Sequence, residues 1–132
     1  MPVTLETARR LIEAAKEKAL AIGVPMVVAV VDAGGNLVAL DRQDDALLVS
    51  LELARDKAYS AVAVKTDTAT IGRLAQPGAE LFGLGRASGG RIVTFGGGLP
   101  LVKNGKVVGG IGVSGGSVAE DTACATAGQK AF

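Results

Sequence analysis

Histidine and tryptophan are both absent from the 132-residue chain, and cysteine occurs once, at Cys124. Without histidine there is no Ser-His-Asp triad and no ordinary zinc site, which removes most familiar hydrolase mechanisms. A lone cysteine cannot form an internal disulfide. Aromatic residues make up only 3% of the chain, three Phe and one Tyr, so no stacking platform for nucleic-acid bases is present. Charge is not skewed either: 14 Lys and Arg stand against 13 Asp and Glu, a formal net of +1. No basic run able to track a phosphate backbone appears, and nucleic acid is excluded as an expected partner. The longest apolar stretch, Met26 to Val31, falls far short of the roughly 18 residues that span a bilayer. No membrane partner is expected. Val3 and Thr4 pass directly into an amphipathic pattern with no basic and apolar leader before it, and a cytoplasmic location is expected.

What the chain has is glycine, nineteen in all, with 48% hydrophobic and 20% charged residues. This is a globular composition, and its length suits one domain, 1–132, with one core and one site. With so few bulky rings, close backbone packing must fill the interior.

Thr4 is placed as an N-cap, and Leu5, Ala8, Leu11, Ile12, Ala15, Ala19 and Ile22 recur on one helical face up to Gly23. Met26 to Val31 reads as a strand entering a turn at Asp32 to Asn36, and Leu37 to Leu40 returns beside it. A second helix is expected from Leu47 to Val64, and a short one capped by Thr66 from Asp67 to about Leu74. Ile92, Val93 and Thr94 read as a third strand. Asn104-Gly105 is the best hairpin turn, joining Leu101–Lys103 to Lys106–Val113, whose glycines suggest a bulge or another backbone pressed against the strand. Ser117 and Glu120 have capping-box spacing and open a last helix of small residues. Two hairpins and one further strand predict an α+β fold with a mostly antiparallel sheet of about five strands covered by helices.

Several features carry chemistry. Gly96 to Gly98 lacks the Lys-Ser/Thr of a nucleotide loop and runs into Pro100 and a strand. Ser114, Gly115, Gly116 and Ser117 lie between a strand and a helix start, where amides and hydroxyls can hold an anion or simply form a turn and a cap. Arg42, Lys57 and Arg91 offer charge-assisted hydrogen bonds to an anionic ligand. The stem of Lys57 can lie along apolar surface with its ammonium either at a pocket edge or in solvent. Asp44 and Asp45 read as a solvated turn, since no second carboxylate cluster with ligand spacing accompanies them, and no metal site is expected. Cys124, among alanines and without a basic neighbour, reads as a small buried hydrophobe. Tyr59 reads as an amphipathic boundary residue.

The run Val30 to Leu37 followed by Arg42, then Lys57-Ala58, Phe95 to Pro100, Val107 to Gly116 and Glu120-Asp121 resembles the GlcG/HbpS family nearly end to end. Gln76 to Gly78, Leu81 to Leu84 and Phe95 to Pro100 are similar to the C-terminal domain of PduO and to stand-alone proteins of diol-utilisation loci. No adenosyltransferase domain accompanies them, so that activity is not carried over. The resemblance implies a profilin-like fold with a five-stranded antiparallel sheet, assembly into dimers or higher homo-oligomers, and haem binding as in several members. It also implies an association with small-molecule catabolism, of glycolate or of diols. PduO-type haem binding relies on histidine; here the resemblance leaves Met26, Tyr59, Cys124, a lysine or a threonine hydroxyl as axial ligands.

Two functional readings follow. In the first, the protein binds a small apolar-anionic ligand, haem among the candidates, with Arg42, Lys57 and Arg91 meeting its carboxylates and Gly97, Gly98, Ser114 and Gly115 lining the site. In the alternative, it is a lyase- or isomerase-type enzyme acting on a small aromatic or hydroxy carboxylate. There Lys57 is the base or electrostatic stabiliser, Arg42 the carboxylate clamp, and the Gly97 and Gly115 amides stabilise developing negative charge.

Overall fold

The computed structural model describes residues 3–132. Helix α1 (Leu5–Ile22) starts where the Thr4 hydroxyl accepts from the Thr7 amide and stops at Gly23, whose φ of 75° lets its amide close the last turn on Ala19 and Leu20. Strands β1 (Val27–Asp32) and β2 (Leu37–Arg42) form the first hairpin. Helix α2 (Val49–Val64) follows, then α3 (Thr68–Leu74) and a short turn, α4 (Ala87–Gly90), in which Ser88 and Gly89 have left-handed backbone angles. Strands β3 (Gly98–Lys103) and β4 (Lys106–Ser114) form the second hairpin, and α5 (Val118–Lys130) ends the fold. The Asn104-Gly105 turn has positive φ at both residues, 52° and 75°, as a two-residue hairpin loop requires.

The sheet is antiparallel throughout in the order β2-β1-β4-β3. It has four strands, not about five. Ile92, Val93 and Thr94 do not form the expected third strand. The Val93 amide instead donates to the Ser60 hydroxyl on α2, so this segment is held by a helix side chain and joins no ladder. Gly98 and Pro100, expected to precede the strand at Leu101, belong to β3 itself. Pro100 is tolerated there because β3 is an edge strand. Two helix starts also move: α2 begins at Val49, and Asp67, not Thr66, caps α3 by accepting from the Thr70 amide at 2.8 Å.

Alternation along the strands sends side chains to two faces. Val28, Val30, Leu101, Ile111 and Val113 pack with Leu11, Ile12, Ala15, Cys124 and Ala125 under α1 and α5. The opposite face is built for close approach. Gly112 pairs with Ala29 on one side and Gly98 on the other, while Gly110 pairs with Pro100. Helix α2 lies directly on this stripe: a Cβ at Gly98, Gly110 or Gly112 would run into the backbone carbonyl of Lys57, Ala58 or Ala54 respectively. The backbone expected against the β4 glycines is therefore that of α2. The result is a three-layer arrangement in which α2 and α5 lie on opposite faces of the sheet and reach around the end of β4.

Candidate functional site

At that end the fold brings together a fully buried cation and an acid. The Lys57 side chain leaves α2 and passes Gly112 and Gly97. Its Nζ donates to the Val113 carbonyl at 2.9 Å and to Asp121 Oδ2 at 3.0 Å. Neither side chain meets water appreciably, with exposures of 0% for Lys57 and 5% for Asp121. Asp121 Oδ1 accepts from the Gly116 amide at 2.8 Å, so both carboxylate oxygens are engaged. Burial pushes the Lys57 ammonium below its ordinary value, against the opposing pull of the Asp121 charge and hydrogen bond. The Phe95 ring covers the amine, its centroid 5.1 Å from Nζ, while itself standing 41% exposed.

Local sequence explains how the pair is assembled. Ser117 and Glu120 close the expected capping box, and this sets Asp121 in the first turn of α5, where a carboxylate is also favoured by the helix dipole. Gly97 adopts a φ of 121°, and a Cβ there would sit 2.6 Å from Lys57 Nζ and 2.6 Å from the Val113 carbonyl. Only glycine leaves room for the ammonium at that point.

The other expected site residues are distributed around the molecule. Gly98 is the first residue of β3, its amide donating to the Thr68 hydroxyl. The Ser114 hydroxyl donates to that of Ser50, and Gly115 packs against Pro25 and Met26. Lys57, Gly97, Gly98, Ser114 and Gly115 thus gather at one end of the sheet. Arg91 lies apart from them, on the far side of α2. Its Nε donates to Asp56 Oδ1 at 3.0 Å and its guanidinium covers the Tyr59 ring at 3.8 Å. Arg42 ends β2 and donates to the Ala46 carbonyl at 2.8 Å. Asp121 and Phe95 fall within the segments that resemble the family, but nothing in their local sequence gives them a role. The signal that points to Asp121 is its place one residue after the capping-box glutamate, in the first turn of α5.

Arg42 borders a cleft of about 700 Å³ between α1 and β2. Ala19, Leu20, Val24 and Leu40 supply its apolar wall, and Lys16, Arg42, Asp44 and Asp45 its charged rim. Lys16 is held above its ordinary value, chiefly by hydrogen bonds to Asp41 and Glu13. The register links the two regions: Val27 of β1 pairs with Arg42 on one side and Ser114 on the other.

Of the axial donors considered from the sequence, Met26 and Cys124 are fully buried in the core. Burial, reinforced by the Asp121 charge, pushes the Cys124 thiol up to about 11. The Tyr59 hydroxyl donates to Ser88, and Lys57 is held by Asp121. Thr94 lines a smaller hollow of about 430 Å³ with Phe82 and Arg86. Among the described residues no group of three or more Cys, Asp or Glu side chains is arranged to hold a metal ion. Among the described residues no helix is long and apolar enough to cross a membrane.

These features define an antiparallel α+β domain with a closed lysine–carboxylate pair at the sheet end and an open, partly apolar cleft beside it. Residues 3–130 match the family described as haem degrading protein, HbpS-like, and the chain belongs to that family. It is 47% identical over 119 residues to an uncharacterized 15.0 kDa protein of the dhaT-dhaS intergenic region of Citrobacter freundii, covering 90% of this chain and 84% of the relative. Identity reaches 50% over 112 residues with the corrinoid adenosyltransferase PduO of Salmonella typhimurium, covering 85% of this chain and only 33% of that enzyme. The chain therefore spans about a third of that relative's length. Among solved structures it is similar to Klebsiella pneumoniae protein ORFY, with a TM-score of 0.97 at 39% identity, covering 100% of this chain and 91% of that one. It is also similar to a PduOC–haem complex, with a TM-score of 0.91 at 47% identity, covering 94% and 90%.

Proposed function

We propose that this protein binds a small, largely apolar molecule carrying a carboxylate, in the cleft between α1 and β2. The observation that carries this reading is the cleft itself. About 700 Å³ lies within the range that holds a cofactor-sized ligand, and an apolar wall stands beside the Arg42 guanidinium. A tetrapyrrole is the ligand class suggested by the likeness to the PduOC–haem complex. The cleft suits the periphery of such a molecule: Leu20, Val24 and Leu40 meet the ring, and Arg42 meets a carboxylate. It does not suit the iron. No Met, Cys or Tyr lines it, the chain has no histidine, and Lys16 is occupied by Asp41 and Glu13. Recognition in this reading rests on shape and charge and not on a metal bond.

The test is a paired titration with haemin and with iron-free protoporphyrin IX. Saturable binding of both with similar affinity, weakened for both in Arg42→Ala, is the expected result. Binding of haemin alone, with a sharp Soret shift, would mean that iron is ligated and would overturn the cleft reading; so would failure of both to bind.

We also infer that the chain self-associates, as the family resemblance implies. Support comes from Leu47, Leu48 and Val49, consecutive apolar residues at 58, 79 and 52% exposure ahead of and at the start of α2.

A further inference from the structure

The Lys57–Asp121 pair has a feature that a purely structural ion pair does not need. Two of the three ammonium hydrogens are taken by Val113 and Asp121, and what faces the amine on its remaining side is the Phe95 ring. A ring face is the weakest of these three partners and the one most easily exchanged for a ligand oxygen. Phe95 is also the only one of them that reaches solvent, at 41% exposure. It is followed by Gly96 and Gly97, so the segment that carries it has little side-chain anchorage of its own. Gly96 lies against Val118 and Thr122, and Val118 is exposed. The exposed Phe95 ring thus stands over a dry amine and its acid, one residue from the glycine that Val118 and Thr122 pack against.

We propose that Lys57 is a masked amine nucleophile that captures small apolar aldehydes or ketones as an imine when Phe95 swings aside, with Asp121 carrying the proton. This site is separate from the Arg42 cleft, and the inference does not rest on the cleft being occupied. The ammonium passes one proton across 3.0 Å to Asp121 Oδ2, leaving a neutral amine and a neutral carboxylic acid. Burial pushes the Lys57 ammonium down, which favours release of its proton across this short contact. The amine nitrogen attacks the carbonyl carbon, the C–N bond forms, and the carbonyl oxygen becomes a hydroxyl. Loss of that oxygen as water breaks the C–O bond and leaves a protonated imine, Asp121 returning as carboxylate. Ammonium plus carbonyl compound thus becomes iminium plus water, with charge conserved and no oxidant or reductant used. The apolar tail of the carbonyl compound would take the place of the phenyl ring over the Lys57 amine.

The experiment uses the full chain at near-neutral pH with butyraldehyde and sodium cyanoborohydride, which reduces an imine to a stable secondary amine, followed by peptide mapping. The exposed Lys18, Lys65, Lys103, Lys106 and Lys130 serve as internal controls. The expected result is that Lys57 is modified several-fold faster than those five. Phe95→Ala, checked for an unchanged circular dichroism spectrum, should accelerate modification at Lys57 and leave the five unchanged. Asp121→Asn should slow modification at Lys57 alone. Modification of the surface lysines with Lys57 untouched, in both the parent and Phe95→Ala, would overturn the proposal, as would labelling of Lys57 at the same rate as the surface lysines. Because the readout is a covalent mark on one residue, its failure leaves the porphyrin titrations unaffected and can be told apart from theirs.

Discussion

Lys57 and Asp121 stand on helices that cover opposite faces of the sheet, yet their charged groups meet around its end at 3.0 Å with almost no exposure to water. Withdrawing each ion from water costs several kcal/mol, and only the short contact with its partner and the hydrogen bonds to Val113 and Gly116 offset that cost. Removing one partner should therefore cost more than removing both. Asp121→Ala is expected to destabilise the fold by about 3–5 kcal/mol, and the double variant Lys57→Met/Asp121→Leu by clearly less. Urea unfolding of the two variants checks this; equal losses would show that the pair is not coupled.

The same pair makes a pH signature. The folded-state value of Lys57 lies below 10.5, so between that lowered value and 10.5 the unfolded chain binds more protons than the folded one. Stability contributed through Lys57 consequently rises with pH across this window, and the penalty of burying the ammonium applies in full below it. Cys124 works the other way, because its folded value of about 11 exceeds 9.0 and its contribution falls as pH rises between the two. The stability difference between the parent and Lys57→Met isolates the lysine: it should shift in favour of the parent as pH rises toward 10.5. A difference flat with pH would mean that Lys57 titrates as an exposed lysine does.

Glycines in the chain divide into two kinds, and alanine substitution separates them. Gly23→Ala meets nothing within 4 Å and suffers only its φ of 75°, which predicts a loss of about 1 kcal/mol. Gly112→Ala drives a methyl group into the Ala54 carbonyl, so α2 must lift off the sheet; a loss of at least about 3 kcal/mol, or failure to fold, is expected. Thermal unfolding of the pair tests the contrast.

Cys124 should be inert in the folded protein. It is fully buried, and its thiol is pushed up to about 11. Reaction with a chromogenic disulfide reagent near neutral pH should follow unfolding, rising sharply in urea. Rapid labelling without denaturant would show that α5 opens locally far more readily than its packing implies.

Leu48→Asp tests self-association. Its side chain stands 79% exposed between Leu47 and Val49, so the substitution should leave the monomer fold intact and lower the mass measured by light scattering. An assembly of unchanged mass would place the interface elsewhere.

Local structure was legible wherever a short stretch of sequence carries its own instruction. Thr4, Gly23, Asn104-Gly105 and the Ser117-Glu120 box each satisfy backbone groups a few residues away, and each is found where expected. The β4 glycines announced a close neighbour, because a strand without side chains gains nothing unless another backbone takes the space. Ile92 to Thr94 misled because apolar β-branched residues suit any buried extended segment. A strand also needs a free partner edge, and here the amide of Val93 is taken by Ser60.

The site divides along the same line. Composition removes histidine chemistry and internal disulfides outright, because the chain has no histidine and a single cysteine. That Lys57 would be dry and paired was beyond local pattern, since its partner lies 64 residues away and its ceiling is Phe95. A helix pattern shows which way a lysine points but not whether solvent waits there. That depends on how closely α2 approaches the sheet, which the glycine stripe permits, and on where α5 begins beyond it. Burial and charge pairing are properties of several chain segments at once, and only their packing in three dimensions decides them.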